Sequence, residues 1–251
     1  MRSAISLIIM CSLLSACGAV SQTTTWSTVA IFNDASGVFS VSDTAGNTGL
    51  GLSPNVVNEV NYANGPSSNN IADQPLSSFA LVSSNSLGTI RKGTLNTGTM
   101  TGNVTVYSNP AESSHMLVFA VPHVGSMLLT QGKKLEGYPS GTYTYSGQHL
   151  NGSRAVGGSP ELGSFSLSAN FSSGAYTYIG STQNTSLTGS GLLNKANGKI
   201  AGNAFTMNTP FRTYSATMYG YFSGSNAANV SGVFHSNDTN TDYAGGFVGS
   251  R

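Results

Sequence analysis

The stretch Phe165–Tyr178, FSLSANFSSGAYTY, decides the fold class of this chain. Between positions 165 and 171 apolar residues alternate with Ser and Asn, which is the period-two pattern of a strand with one buried face. Ser172-Ser173-Gly174 follows as a compact turn, in which glycine supplies a positive φ. A second alternating run then leads to Tyr178. The stretch therefore predicts an antiparallel β-hairpin.

The same pattern continues on both sides of this hairpin. Strand-like runs recur with turns between them, at the spacing expected of an all-β barrel or sandwich. We interpret eight runs as strands: Thr142–His149, Leu162–Phe171, Gly174–Gly180, Asn184–Leu193, Gly198–Met207, Thr213–Ser223, Asn229–Ser236 and Asp242–Gly249. Eight strands make the smallest common closed barrel, and Gly189, Gly202 and Gly220 suit a narrow interior. A sandwich would use the same pattern and stays an alternative.

The first half of the chain has shorter apolar bursts between clusters of Gly, Pro, Asn and Ser. We expect strands at Val29–Phe32, Val38–Val41, Phe79–Val82, Val104–Tyr107 and Met116–Val121. Asn47–Ile71 is polar and rich in turn residues, so we predict a surface loop or an irregular edge there. No segment keeps a helical apolar stripe over three turns. The charged run Lys133-Lys134-Leu135-Glu136, followed by Pro139, predicts a hinge between the halves.

The composition restricts the class of protein further. Only 8% of the 251 residues are charged, the net charge is +1, and 31 residues are Gly. Disorder is one interpretation, but disorder usually comes with high net charge and few aromatic residues, whereas this chain has 11 Tyr and 11 Phe. A sheet protein whose polar positions are Ser, Thr and Asn fits better. The near-neutral charge also excludes the basic surface that nucleic-acid binding requires.

The N-terminus resembles the signal peptide of bacterial lipoproteins. Arg2 gives a positive start, and Ile5–Leu14 is an apolar run too short to span a membrane. Leu14-Ser15-Ala16-Cys17 resembles the lipobox, in which an aliphatic residue and two small residues precede the lipid-accepting cysteine. We therefore predict a signal peptide at residues 1–16, lipidation of Cys17, and a lipidated tether at 17–27. An ordinary secretory signal peptide with a coincidental cysteine is the alternative.

Two further observations agree with a lipid anchor. Cys11 lies inside the segment that would be removed, so Cys17 would be the only thiol of the mature chain and no disulfide could form within it. An Asp after the cysteine is typical of lipoproteins retained on the inner membrane, so Gly18 is compatible with the outer membrane. We expect attachment to the outer membrane through the lipid, because each acyl CH₂ group that is buried contributes about 0.8 kcal/mol. We also expect display on the cell surface.

The last strands resemble a known family. Tyr219–Ala228 reads YGYFSGSNAA and leads into Val230–Phe234, and the chain ends with Gly245–Arg251, GGFVGSR. This order is similar to the C-terminal barrel of the transferrin-binding protein B family of bacterial surface lipoproteins. There, a glycine-aromatic strand, a Gly-Pro-Asn-Ala-type turn and a Gly-Gly-x-Phe strand close the barrel. We therefore expect Phe247, which shares the odd-numbered face with Tyr243, to point into the barrel core.

This resemblance implies an all-β fold with two parts. A smaller β-rich handle-like domain would occupy residues 28–139, and a C-terminal eight-stranded antiparallel β-barrel would occupy 140–251. The sequence departs from the family pattern at Ser225, where the family often has Pro, and at Ser250, which replaces the usual Ala-Lys ending. One handle-plus-barrel unit fills this chain, whereas the transferrin receptors carry two, so transferrin binding itself is not implied. Single-unit relatives include binders of haem-type ligands, haemoglobin or host regulatory proteins, and many family members have no assigned ligand.

The histidines and tyrosines are the remaining candidates for a site. His115 and His123 flank one apolar run and could bind haem or a metal, but we favour surface positions at strand ends or in loops for all four histidines, which include His149 and His235. The pairs Tyr143 with Tyr145 and Tyr176 with Tyr178 each share a face, because they are two residues apart. Such pairs form an outward binding stripe or barrel packing, and we favour packing.

The sequence predicts a binding protein rather than an enzyme. It contains no Gly-x-Ser-x-Gly elbow, no His-Glu-x-x-His and no phosphate loop. We predict a non-catalytic outer-membrane lipoprotein that binds a partner protein or ligand of the haem- or iron-acquisition or host-interaction type. We predict no cofactor, and haem is the alternative to this prediction. A structural envelope lipoprotein without an exposed ligand is the alternative, and a secreted enzyme is a third.

Overall fold

The computed structural model describes residues 26–34, 39–43, 48–49, 76, 79–96, 101–121, 125–133, 135–153, 160–238 and 243–251. The strands of the first half are β1 (Trp26–Asp34), β2 (Phe39–Asp43), β3 (Thr48–Gly49), β4 (Ala80–Asn85), β5 (Gly88–Asn96), β6 (Thr101–Ser108), β7 (Ser114–Val121) and β8 (Gly125–Lys133). Those of the second half are β9 (Thr142–Ser153), β10 (Glu161–Asn170), β11 (Ala175–Ser181), β12 (Ser186–Asn194), β13 (Lys199–Asn208), β14 (Thr213–Ser223), β15 (Asn229–Ser236) and β16 (Tyr243–Ser250).

The second half is a closed antiparallel barrel. Each strand pairs with its neighbour in sequence, and β16 closes the barrel by pairing with β9, so that Phe247 lies opposite His149. All eight predicted strands are present, and most of their bounds agree within two residues. The closure confirms the predicted barrel and excludes the sandwich. Inward glycines leave room for large rings, since a Cβ at Gly189 would lie 2.5 Å from the ring of Phe205.

Two of the barrel turns need glycine for their backbone conformation. Gly174 has φ +82° between β10 and β11, and Gly198 has φ +77° between β12 and β13. Positive φ is the region that glycine enters without a steric penalty. The first of these turns was predicted from its Ser-Ser-Gly sequence. Both turns lie at the end of the barrel that we call the lower end. The turns at 182–185 and 209–212 lie at the opposite, upper end.

The first half forms a single eight-stranded antiparallel sheet, in the order β3-β2-β1-β8-β7-β6-β5-β4. The predicted bursts fall in β1, β2, β4, β6 and β7, with Phe79 just before β4 and Val38 outside the described residues. The prediction missed β5 and β8. Only Thr48–Gly49 of the predicted loop at Asn47–Ile71 is described, as β3. One sheet face has its own apolar core, formed by Val104, Val106, Leu117, Phe119 and Leu129.

The other sheet face packs on the outside of the barrel, against β9, β14, β15 and β16. Met116 of β7 clusters with Leu150 and Val248 of the barrel wall, and Leu128 of β8 packs against Tyr221 and Val233. The burial patterns of the barrel strands agree with this contact. Strand β11 alternates exposed and buried residues in the way of a wall facing solvent, whereas β15 and β16 are buried on both faces.

Polar contacts fix this packing in one register. The side-chain amide of Gln148 donates to the backbone oxygen of Ser108 at 2.8 Å. Asn109, in the turn between β6 and β7, donates from Nδ2 to Oδ1 of Asn229 at 2.8 Å. Both bonds are buried, where a lost partner is costly. The sheet and the barrel wall are therefore joined by specific hydrogen bonds as well as by apolar contact.

The connection between the halves follows the predicted Lys133–Glu136 and Pro139 segment, but it is fastened to the barrel. The backbone of Glu136 donates to Gly224 at 3.0 Å and accepts from Asn226 at 2.9 Å. The ring of Tyr138 lies 5.7 Å from that of Phe171. The segment therefore covers the lower end of the barrel as a strap, and in this structure it is not the free hinge that its charges suggested.

Replacing Gly132 with Ala should weaken the contact between sheet and barrel. A Cβ on Gly132 would lie 2.7 Å from the Cβ of Ser223, closer than real side chains approach. Overpacking of this kind costs about 1–3 kcal/mol, so the midpoint of chemical unfolding should fall. Gly152→Ala is the matched control, because its nearest neighbour would be at an ordinary 3.5 Å. Equal midpoints for the two variants would contradict the packing described here.

Candidate functional site

The barrel interior is filled mainly by aromatic side chains. Tyr145, Tyr176 and Tyr178 are at most 2% exposed and belong to the core cluster. The ring of Phe247 lies 4.9 Å from that of Tyr178 and 5.2 Å from that of Phe165. The tyrosine pairs are therefore barrel packing rather than an outward stripe, and the predicted inward position of Phe247 is confirmed.

One titratable pair is buried within this aromatic interior. Nδ1 of His149 lies 2.7 Å from the hydroxyl of Tyr178, and the imidazole stacks on Phe234 with ring centres 5.0 Å apart. Burial lowers the pKa of His149 to about 3 and raises the pKa of Tyr178 well above its usual value. Both side chains are therefore neutral at physiological pH. The predicted surface position of His149 is wrong, because the residue lies on the inward face of β9.

A chain of polar side chains leads from the upper end of the barrel towards this pair. Glu161 accepts a hydrogen bond from Thr182 at 2.6 Å, and the hydroxyls of Thr182 and Thr185 lie 2.8 Å apart. Thr185 in turn accepts from Nδ2 of Asn151 at 2.8 Å. Hydrogen bonds from Thr182 and Asn184 lower the pKa of the Glu161 carboxyl. These hydrogen bonds could not be predicted from the sequence, since the residues that form them come from three separate elements.

The two other histidines that the structure describes, His115 and His235, lie in different surroundings. His115 is 2% exposed and its Nδ1 lies 2.8 Å from the hydroxyl of Ser108, so its predicted surface position is also wrong. His235 is half-buried and stacks with Tyr219. His123 lies outside the described residues. Within the described ranges, no group of three or more His, Cys, Asp or Glu could hold a metal ion.

Among the residues that the structure describes, Phe211 has the most exposed of the large apolar side chains. Phe211, in the turn between β13 and β14 at the upper end, is 79% exposed. The Thr209 hydroxyl accepts from the backbone N–H groups of Phe211 and Arg212 at 3.3 and 3.2 Å, which fixes the turn. Arg212 also pairs with Asp238 at 3.3 Å. The ring is thus held out to solvent on a hydrogen-bonded turn, an arrangement that suits contact with a partner.

The predicted lipidation site and signal peptide lie outside the described residues, which begin at Trp26. Among the residues that are described, no helix has the length and apolar character needed to cross a membrane.

Sequence comparisons find no relatives of this chain. No protein-family model matches it, and no curated protein matches it. The matches described next therefore rest on the fold.

Solved structures do match the fold. Intact Ap-TbpB, with N and C lobes, matches with a TM-score of 0.53 and 13% identity over 89% of this chain and 46% of that chain. The apo haemoglobin receptor HpuA from Kingella denitrificans matches with a TM-score of 0.50 and 12% identity over 92% of this chain and 88% of that chain. Transferrin binding protein B from serogroup B Neisseria meningitidis has a TM-score of 0.48 and 12% identity over 64% and 35%.

The comparisons differ in how much of each known structure this chain spans. This chain spans less than half the length of the two transferrin-binding structures and most of the length of the haemoglobin receptor. At such low identities the likeness concerns the fold alone, and it covers both the sheet and the barrel. The chain therefore has the fold of a single handle-plus-barrel lobe of the kind found in TbpB and HpuA.

Proposed function

We propose that this chain is a non-catalytic lipoprotein of the bacterial outer-membrane surface, and that it binds a protein or haem-type ligand. The observation that carries the proposal is its single handle-plus-barrel fold, which extends over 88% of a haemoglobin receptor. The fold supports the binding role, and the lipobox-like sequence at the N-terminus supports the lipid anchor. The barrel and its sheet would carry the binding surface, and Cys17 would carry the lipid that keeps this surface at the cell.

Replacing Cys17 with Ala should prevent acylation and release the protein from the membrane fraction. A lipid-accepting thiol is required for the diacylglyceryl group, and anchoring depends on the apolar area that the acyl chains bury. Mass spectrometry of the mature N-terminal peptide checks the modification, and cell fractionation checks the attachment. Cys11→Ala is the matched control and should leave both unchanged. A Cys17→Ala protein that still fractionates with outer membranes would rule out the lipid anchor.

Phe211 is the described residue that we assign to partner contact. An exposed aromatic side chain on a fixed turn loses little conformational entropy on binding and is the usual anchor of an interface. Ile179, on the barrel wall, is also exposed, at 60%, but it lies within the regular strand β11 and not in a turn. A partner that binds through the upper end should therefore depend on Phe211 and not on Ile179.

Binding measurements with purified probes test this assignment. Haemoglobin, transferrin and free haemin are each titrated against the wild type, Phe211→Ser and Ile179→Ser. We expect one probe to bind the wild type, with an affinity reduced by about tenfold or more in Phe211→Ser and unchanged in Ile179→Ser. If the probe binds the wild type, Phe211→Ser and Ile179→Ser with equal affinity, Phe211 is rejected as the contact. Failure of every probe to bind would reject the proposed ligand class and favour the structural envelope role.

A further inference from the structure

Basic residues of the described ranges are concentrated at the lower end of the barrel. Lys195 lies in the turn between β12 and β13, Lys199 is the first residue of β13, and Arg251 follows β16. Lys133 is the last residue of β8, directly before the strap. Against these four positive residues the strap contributes one carboxylate, that of Glu136. In a chain with only 8% charged residues, this is an uneven distribution.

The remaining charges near the two ends sharpen this difference. In the sheet, Arg91 and Glu112 pair with each other at 3.2 Å, so their charges cancel. The upper end carries Glu161 and Asp238, and among its described residues only Arg212 has the opposite sign. The barrel therefore has a basic lower end and a weakly acidic upper end.

Uncharged partners hold two of the basic side chains in place. Nζ of Lys195 donates to the backbone oxygen of Ser172. Arg251 donates from Nη2 to the backbone oxygen of Asn226 at 2.9 Å, and its guanidinium lies 4.1 Å from the centre of the Tyr143 ring. Neither Lys195 nor Arg251 forms an ion pair with a carboxylate side chain within the part of the chain that the structure describes. Both are exposed, so their charges are presented to solvent.

The first described strand begins at this same end. Trp26, the first residue of β1, pairs with Lys133, and three residues after Lys133 the backbone of Glu136 bonds to Gly224 in a lower-end turn. A lipid on Cys17 would keep Trp26 within about 32 Å of the bilayer, because nine residue steps of extended chain span no more than this. Tilted strands of seven to twelve residues place the upper end roughly 25 Å from the lower end.

We propose that the lower end of the barrel docks on the anionic headgroups of the membrane surface, so that the upper end with Phe211 faces outward. The inference rests on the proposed lipid anchor for the position of the membrane, and it adds the orientation of the protein. Each basic residue close to an anionic lipid surface raises the affinity by about fivefold. The attraction fades beyond about 8 Å at physiological salt, so it does not extend to the upper end.

Aromatic side chains at the lower end also suit a membrane surface. Tyr138 of the strap and Tyr143 at the start of β9 are both half-buried. Tyrosine is favoured at membrane interfaces because its ring is apolar and its hydroxyl can stay in water. The lower end therefore combines exposed positive charge with the aromatic residues that are typical of the headgroup region.

Binding to lipid vesicles tests this docking without the lipid anchor. The probe is the mature chain, residues 17–251, with Cys17→Ala, which keeps every described residue and contains no cysteine. Vesicles of phosphatidylcholine with about 30% phosphatidylglycerol are compared with vesicles of phosphatidylcholine alone. Cosedimentation is measured in about 20 mM and about 0.5 M NaCl. We expect binding to the anionic vesicles at low salt and its loss at high salt.

Lys195→Gln and Arg212→Gln form a matched pair of variants in this probe. Each removes one positive charge from an exposed barrel turn, Lys195 at the lower end and Arg212 at the upper end. Lys195→Gln should weaken binding to the anionic vesicles by about fivefold. Arg212→Gln should leave it within about twofold, because its charge lies beyond the range of the attraction.

A single introduced cysteine reports which end of the barrel faces the lipid. Ser173→Cys lies in a lower-end turn and Gln183→Cys in an upper-end turn, and both positions are exposed. Each is labelled with a fluorophore that headgroup-attached quenchers in the anionic vesicles extinguish at short range. We expect stronger quenching at position 173 than at position 183.

Three results would overturn the proposal: equal binding to the two kinds of vesicle, a loss in Lys195→Gln no larger than that in Arg212→Gln, or quenching at position 183 that equals or exceeds that at 173. Acylation of Cys17 in cells is measured separately. Docking by a chain that is not acylated would reject the anchor and keep the docking surface. An acylated chain whose probe does not dock would reject the docking surface alone.

Discussion

Replacing Phe247 with Ala is expected to reduce the free energy of unfolding by about 3–5 kcal/mol, the usual cost of deleting a buried phenylalanine. The ring is 0% exposed and contacts the rings of Phe165 and Tyr178. It lies on β16, the strand that closes the barrel against β9. A domain is typically stable by only about 5–15 kcal/mol. Chemical unfolding of the wild type and of the variant checks the value.

Leu192→Ala is the control for this substitution. Leu192 is also apolar and on a barrel strand, but it is 69% exposed, so its removal should change the stability by no more than about 0.5 kcal/mol. Deleting Gly245–Arg251 should be more severe than Phe247→Ala, because it exposes the edges of β15 and β9. Unfolding midpoints that are unchanged in both the Phe247 variant and the truncation would mean that β16 does not close the barrel.

Lowering the pH from 6.5 to 5 is expected to destabilise the wild type by about 1.6 kcal/mol through His149 alone. Burial lowers the pKa of this residue to about 3 in the folded state, whereas the unfolded chain has a histidine pKa of about 6.5. Between these two values the unfolded state binds a proton that the folded state does not. Stability therefore rises with pH across this window and is lost as the pH falls below about 6.5.

Two variants separate this effect from other titrations. His149→Gln should flatten the dependence of stability on pH between 5 and 6.5, whatever its effect on stability at neutral pH. Glu161→Gln should leave this window unchanged. Hydrogen bonds lower the pKa of Glu161, so its contribution is lost only at lower pH, as the carboxylate is protonated. A His149→Gln protein with the same slope as the wild type would show that the imidazole is not buried in its neutral form.

The barrel was predictable because its strands follow local rules. Strands β10 and β11 alternate apolar and polar residues, and Gly174 in their turn has the expected positive φ. In contrast, β5 reads GTIRKGTLN, where two basic residues and two glycines hide the alternation. Strand β8 was missed as well, although its Leu128 and Leu129 point to opposite faces and are both needed in the fold.

The packing between the two halves could not be predicted from the sequence. Strand β16 carries small residues on both faces because it lies between the barrel core and the sheet, and a Cβ on Gly246 would lie 2.9 Å from Met116 and Leu128. The sequence pattern around β16 does not reveal Met116 and Leu128 as neighbours, because both lie more than 100 residues away in the chain. His149 is a different case. Its odd number places it on the same face as Tyr143 and Tyr145, so strand parity already indicated the interior, but its partner Tyr178 was not evident.

Protease treatment of intact cells tests most directly the central claim that the protein is a lipid-anchored surface binder. The account predicts that added protease degrades the wild type on intact cells, while a periplasmic marker protein stays whole. Cys17→Ala should be absent from the cell surface in the same experiment. A wild-type protein that is degraded only after the outer membrane has been permeabilised would contradict surface display.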